Sequence, residues 1–298
     1  MKKQARYFHY ILAAFFAVLF ALCVLDLLFR IKPVKEALSA QTKLLRNEEF
    51  DPSLLYITSV NALDRHTDSL LAETDPVQIA DAGAYPKMLG EVVRKRFYHG
   101  LYTYTFGNNF LAYLITKVSG RSVNEVWDSD EILKSEYAFC GQQSLVMMSL
   151  LINKGYKVRS VKMFAPEFKT GHFALEVYYN NSWHFFDPNL EPDQKGLNEL
   201  NRPSFAALQG NNPLLLSLYH NTNPKLITAL FSNYKMGNVN ELMPAYIYRF
   251  QSLTKALSSI CWIICLLFYF LVLRNYNFTL PAFSPRWTNG RVMQHMEV

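Results

Sequence analysis

The sequence predicts an α+β domain, in which a buried helix carrying a cysteine packs on an antiparallel sheet, with helical elaborations and a transmembrane helix on either side. Three observations point there. Two long apolar runs lie near the ends of the 298-residue chain, while the region between them reads as an ordinary soluble mixture. Residues 141–154 form an apolar band too wide for a surface helix. Three strand-like runs then follow, the last two separated only by Asn180-Asn181. Half of the residues are hydrophobic and 15% are aromatic, which excludes a disordered chain and leaves ample material for a core.

The first apolar run, ILAAFFAVLFALCVLDLLF, is interrupted only by Asp26 and is long enough to cross a hydrocarbon layer of roughly 30 Å. We expect a membrane span over residues 10–29. The competing reading is a cleaved signal peptide, with Lys2, Lys3 and Arg6 as its basic start and Ala37-Leu38-Ser39 loosely resembling a cleavage site. Asp26 lies four residues before Arg30 and can pair with it near the interface. The second run, ALSSICWIICLLFYFLVL, carries no charge and predicts a span over residues 256–273. Basic residues outside both runs favour cytoplasmic termini (residues 1–9 and 274–298) and a periplasmic domain between the spans of an inner-membrane protein. Arg30, Lys32 and Lys35 oppose that orientation. The lipid bilayer is thus an expected partner, and a membrane-protein partner is compatible with it.

The net charge of +6 flanks the expected spans for the most part, which argues against a nucleic-acid partner. Of the four cysteines, Cys23, Cys261 and Cys265 fall in the apolar runs, leaving Cys140 as the one thiol of the intervening body. A lone thiol there is either a reactive group or a small buried hydrophobe. Scattered histidines beside one cysteine show no metal-ligand spacing, and no cofactor or metal is expected.

Residues 30–120 read as mainly helical, with periodic stretches at 88–98 and 110–118 punctuated by Pro76, Pro86 and Gly100. Tyr98, Tyr102, Tyr104 and Phe106 are either packing residues or a binding surface. Ser122 and Glu125 have the spacing of a helix capping box. Residues 121–200 hold the core of the domain, and residues 201–255 form a C-terminal elaboration with no predicted role.

A two-residue hairpin loop at Asn180-Asn181 fixes the register of the strands beside it. Tyr179 then opposes Ser182, and Ala174 opposes Asp187 on one face. His172 becomes the diagonal neighbour of Asp187, at about 7–8 Å between backbones. His184 belongs to the other face. Cys140 sits immediately before or within the first turn of the buried helix, where unpaired N–H groups and the helix dipole favour a thiolate. The chemistry that follows is a nucleophilic Cys140, His172 as its base and Asp187 orienting the imidazole. Gln142 or Gln143 is either an oxyanion donor or a solvated first-turn residue. Each residue also has a plain structural reading: a hydrogen-bonded strand histidine, and an Asp-Pro pair that ends a strand.

From Asp130 to Pro188 the chain resembles the transglutaminase-like superfamily, a papain-like group of cysteine enzymes. The resemblance rests on EILKSEYAFCGQQSLVMMSLLINKGYKVRSV and GHFALEVYYNNSWHFFDP. It implies a papain/transglutaminase-like core, with Cys140, His172 and Asp187 on the catalytic triad and Glu176 and Trp183 on structural positions, Trp183 also counting as a supporting residue. Gly141-Gln142-Gln143-Ser144 departs from the charged and aromatic residues that follow the cysteine in many bacterial members, and the aromatic after the histidine is displaced to Phe173. The implied function is a membrane-anchored thiol peptidase, amidase or acyl transferase working on a peptide, protein or other amide-bearing substrate of the cell envelope through a thioester. The alternative is a catalytically silent binding or scaffold module of the same fold.

Overall fold

The computed structural model describes residues 10–11, 14–18, 20–21, 49–74, 81–189 and 192–275. Residues 29–258 form one compact unit, and residues 1–28 with 259–298 form another. The first is mixed α and β. After a short 3-10 turn at Pro52–Tyr56 it runs through α1 (Val60–Ala72), α2 (Ala84–Arg96), β1 (Tyr98–His99), α3 (Phe110–Ser119), α4 (Ser129–Ile132) and β2 (Tyr137–Ala138). Then come α5 (Cys140–Asn153), β3 (Lys157–Ala165), β4 (Thr170–Tyr179) and β5 (Ser182–Phe186). Four short helices follow: α6 (Gln194–Glu199), α7 (Phe205–Gln209), α8 (Asn212–Leu218) and α9 (Pro224–Ser232). The chain closes with β6 (Tyr234–Met236) and α10 (Ala245–Asn275).

The main sheet has the order β5-β4-β3-β6, with every described pair antiparallel. Its hairpin has the register the two-residue loop predicts, Tyr179 facing Ser182 and Tyr178 facing Trp183. Asn180 and Asn181 both take positive φ, 46° and 60°, which asparagine tolerates and which matches the twist of the strands. The sheet is covered on both faces. Leu175, Val177, Tyr179 and Phe186 join Leu145, Val146, Met147, Met148, Leu150 and Leu151 of α5 in one core. Val161, Met163, Ala174 and Phe185 point the other way and meet Leu197, Phe205, Leu208, Leu215, Ile227 and Phe231 from α6–α9 in a second core. Alternation along each strand produces this division, because successive side chains leave the sheet on opposite sides.

The helix start expected at Ser122 does not form. Glu125 instead bridges to Thr103, and the next helix, α4, begins later, capped by Asp128, whose side chain accepts from the Glu131 N–H. A short apolar stretch never follows Glu125 to sustain a helix; Val126 and Trp127 are drawn into packing around α5.

The expected membrane spans are corrected. Among the described residues no helix is long and apolar enough to cross a membrane, and neither the two flanking transmembrane helices nor the inner-membrane placement of the chain is supported. The first run lies largely outside the described residues. The second is part of α10, whose opening turns are polar and docked on the domain. Gln251 accepts from the Trp127 N–H and donates to the Glu125 carbonyl. Asn109 donates to Thr254 Oγ1, and Ser258 Oγ accepts from the Leu111 N–H and donates to Asn109 Oδ1. Lys255 pairs with Glu131, which Lys134 also reaches. Read as an isolated apolar run, residues 256–273 concealed that they continue a helix fastened by these side chains.

Candidate functional site

Cys140 is the first residue of α5, and it is buried. The helix begins there because Gln142 satisfies the backbone around it. Its Oε1 accepts from the N–H groups of Phe139 and Tyr102, and its Nε2 donates to the carbonyls of Tyr102 and Val126, both at 2.8 Å. Both protons of that amide are therefore engaged, so Gln142 is neither a solvated first-turn residue nor an open oxyanion donor. Gln143 is buried too; its Nε2 donates to the Ala138 carbonyl at 2.9 Å, and its Oε1 has no partner among the described residues. One turn beyond Cys140, Ser144 Oγ donates to the carbonyl of Phe173, the residue after His172. This bond fastens the start of α5 to the start of β4.

His172 and Asp187 are brought together as the register predicts. His172 Nε2 donates to Asp187 Oδ2 at 2.6 Å, with both side chains nearly or fully out of solvent. Asp187 has further partners. Tyr219, following α8, donates its hydroxyl to the same Oδ2 at 2.9 Å, and the Asn189 N–H donates to Oδ1 at 3.2 Å. The carboxylate is thus reached by three groups, two of them on the same oxygen. The backbone carbonyl of Asp187 accepts from Gln194 Nε2 at 2.6 Å, and Gln194 Oε1 accepts from Arg202 at 2.7 Å. Arg202 is wholly buried, and the cost of desolvating its charge lowers its pKa to about 10, against the opposing pull of Tyr179, Glu91 and Asp187.

A second histidine completes the cluster. His99 on β1 pairs with Ala138 of β2, two residues before Cys140, and its Nδ1 lies 3.0 Å from Asn189 Nδ2. Burial lowers the pKa of His99, the neighbouring His172 lowers it further, and Asp187 acts in the opposite sense. Hydrogen bonds and strand pairing thus run from β2, at the foot of α5, through His99 and Asn189 to Asp187 and His172. Strand alternation puts His172 and Asp187 on the side of Met163, Ala174 and Phe185, whereas the apolar side chains of α5 cover the side of Leu175 and Val177. Cys140 thus opens the helix that covers one face of the sheet, and the His172–Asp187 pair lies on the other face.

Trp183 stands elsewhere. It is at the hairpin end of β5, four residues from Asp187 and so about 13 Å along the strand. There it packs on Tyr178 and under the guanidinium of Arg159, at 5.3 and 4.2 Å, beside a cleft of about 390 Å³ that includes Leu200, Asn201 and Ser204. Glu176, buried beneath it, pairs with Arg159 at 2.6 Å and accepts from the Phe205 N–H. His184, on the other face, stacks on Tyr179 and bonds to Ser182 and to the backbone near Arg202. His99, Asn189, Gln194 and Tyr219 were missed by sequence reasoning. Only Asn189, directly after Asp187-Pro188, had a local signal.

No family model matches the chain. No curated protein matches it either. A solved structure described as a TGase is similar at a TM-score of 0.28 and 14% identity, over 54% of this chain and 36% of that one. The chain therefore spans little more than a third of that protein's length.

Proposed function

We propose that the chain is a transglutaminase-like thiol enzyme that works on an amide or related acyl bond through a thioester, on a peptide, a protein or another amide-bearing substrate. The observation that carries this reading is the buried His172–Asp187 pair at 2.6 Å, on a strand fastened through Ser144 and the Phe173 carbonyl to the helix that opens on Cys140. The Asp187 contact uses Nε2, so Nδ1 is the nitrogen through which His172 would take the thiol proton and later return it to the leaving group. Thiolate attack on the carbonyl carbon forms a tetrahedral anion. Its collapse expels the leaving group protonated by His172 and leaves the thioester, which water or an acceptor amine resolves. The N–H groups of Cys140 and Gly141 are the candidate oxyanion donors, since those of Gln142 and Gln143 donate to the Phe139 carbonyl and both protons of the Gln142 amide are committed.

The test is the pH dependence of Cys140 alkylation in the full chain, read by mass on the peptide that contains it. The reading expects rapid reaction below pH 7 and a marked slowing in His172→Ala. If Cys140 reacts as an ordinary thiol near pH 8.5 and His172→Ala changes nothing, the enzyme reading is wrong.

A second reading, a catalytically silent module of the same fold, is favoured by one feature. The layer that holds His172 and Asp187 is the one α5 does not cover. That reading expects an inert Cys140 in a chain whose His172–Asp187 bond is purely structural.

A further inference from the structure

Residues 201–255 had no role predicted from sequence, yet Tyr219 among them joins Gln194 in enclosing Asp187 from two sides. Gln194 holds the Asp187 backbone carbonyl, and Tyr219 holds the carboxylate. Tyr219 is 1% exposed and does not hang loosely. It packs edge-on against Phe231 with ring centres 5.7 Å apart, and its backbone N–H donates to the Leu215 carbonyl. Its hydroxyl therefore reaches Asp187 from a fixed ring, on the same oxygen that receives His172 Nε2.

We infer that Tyr219 is a positioning residue of the proposed site, setting how strongly Asp187 holds the protonated imidazole of His172. This rests on the thiol-enzyme reading above. A carboxylate oxygen that accepts from a phenol has part of its charge neutralised by that bond, and it attracts an imidazolium less than the same oxygen without it. The hydroxyl also removes one rotational choice from the carboxylate, keeping Oδ2 toward His172 while the Asn189 N–H occupies Oδ1. The charged and titratable groups that bear on His172 and its carboxylate are Asp187 and Tyr219 from the C-terminal side, His99 from β1, and Arg202 behind Gln194.

The experiment compares wild type with Tyr219→Phe in the full chain, using iodoacetate as the thiol probe. Its carboxylate is drawn by an imidazolium, so the rate at Cys140 rises as the thiolate forms and falls as His172 loses its proton. Phenylalanine keeps the ring contact with Phe231 and removes only the hydroxyl. The expected result is an upper limb moved toward higher pH by roughly 0.7 of a unit, since the freed carboxylate holds the imidazolium more tightly and a net hydrogen bond of about 1 kcal/mol converts to that shift. A lowered melting temperature with the upper limb unmoved makes Tyr219 merely structural and overturns the inference alone. A wild-type profile with a single rise near pH 8.5 and no upper limb overturns the inference together with the thiol-enzyme reading.

Discussion

The two faces of the main sheet are built on different physics. The face toward α5 is a continuous apolar layer in which Val158, Leu175, Val177 and Phe186 meet the helix, and its stability comes from area removed from water. The face toward α6–α9 has an apolar centre around Val161, Ala174, Phe185 and Phe231, but it is flanked by two buried polar assemblies. One is Glu176 with Arg159, and the other is Asp187 with His172, Tyr219 and Gln194. Apolar layers tolerate imperfect matching, because dispersion and hydration act without direction. Polar assemblies do not, since each donor and acceptor left alone inside a protein costs about 1–3 kcal/mol. The difference shows why the His172–Asp187 pair is held in place on the second face, where its side chains are fixed by directional bonds.

The comparison can be tested from its largest effect downward. Leu151→Ala, on the apolar face, is expected to cost about 3 kcal/mol through lost burial and the cavity left behind, read as a lower urea midpoint with unchanged slope. Because Leu151 touches no polar assembly, the pH profile of Cys140 alkylation in this variant should match wild type. Glu176→Gln, on the other face, should cost about 2 kcal/mol by the same measurement, since it unpairs Arg159 and weakens the bond to the Phe205 N–H. Arg159 keeps some exposure, and this restrains the penalty below that of a fully enclosed pair. Gln142→Leu retains bulk while stranding the Val126 carbonyl and the N–H groups of Tyr102 and Phe139; a loss of about 1–3 kcal/mol and slower alkylation of Cys140 are expected, because the amide organises the helix start. Little or no change in either would show that water replaces the amide.

The smallest effect is one of slope. The pKa of His99 is lowered in the folded chain by burial and by His172, so its neutral form is the one the fold prefers. The unfolded chain binds a proton at that position more readily. The stability His99 contributes is therefore present above its ordinary pKa near 6.5 and is lost as pH falls through the lower folded value. His99→Gln should flatten the fall in stability below pH 6.5, measured by urea titration at several pH values. An unchanged slope would assign the acid sensitivity to other groups.

Much of the site's strand geometry was legible because it is local. Two asparagines that accept positive φ join two alternating strands, and that determines which residues face each other and brings His172 to Asp187. The start of α5 near Cys140 was legible as well, as the N-terminal end of the apolar band over residues 141–154. The reading failed where a residue's role depends on a distant partner. Gln142 looked like a first-turn polar group, but its amide is claimed by the backbone of Tyr102, forty positions earlier. Residues 256–273 looked self-contained, yet they continue a helix docked through Gln251, Thr254, Lys255 and Ser258.

The sequence by itself determined the hairpin, its register and the place of Cys140 near the start of the buried helix, since these follow from backbone preferences, a period of two and the extent of the apolar band. Only the tertiary structure decided which layer covers which face, that Tyr219, Gln194 and Asn189 close around Asp187, and that His99 stands beside them. The physical reason is the range of the forces. Backbone preference acts over a few residues, whereas satisfying a buried carboxylate recruits any donor that packing brings within about 3 Å, however far away it lies in the chain.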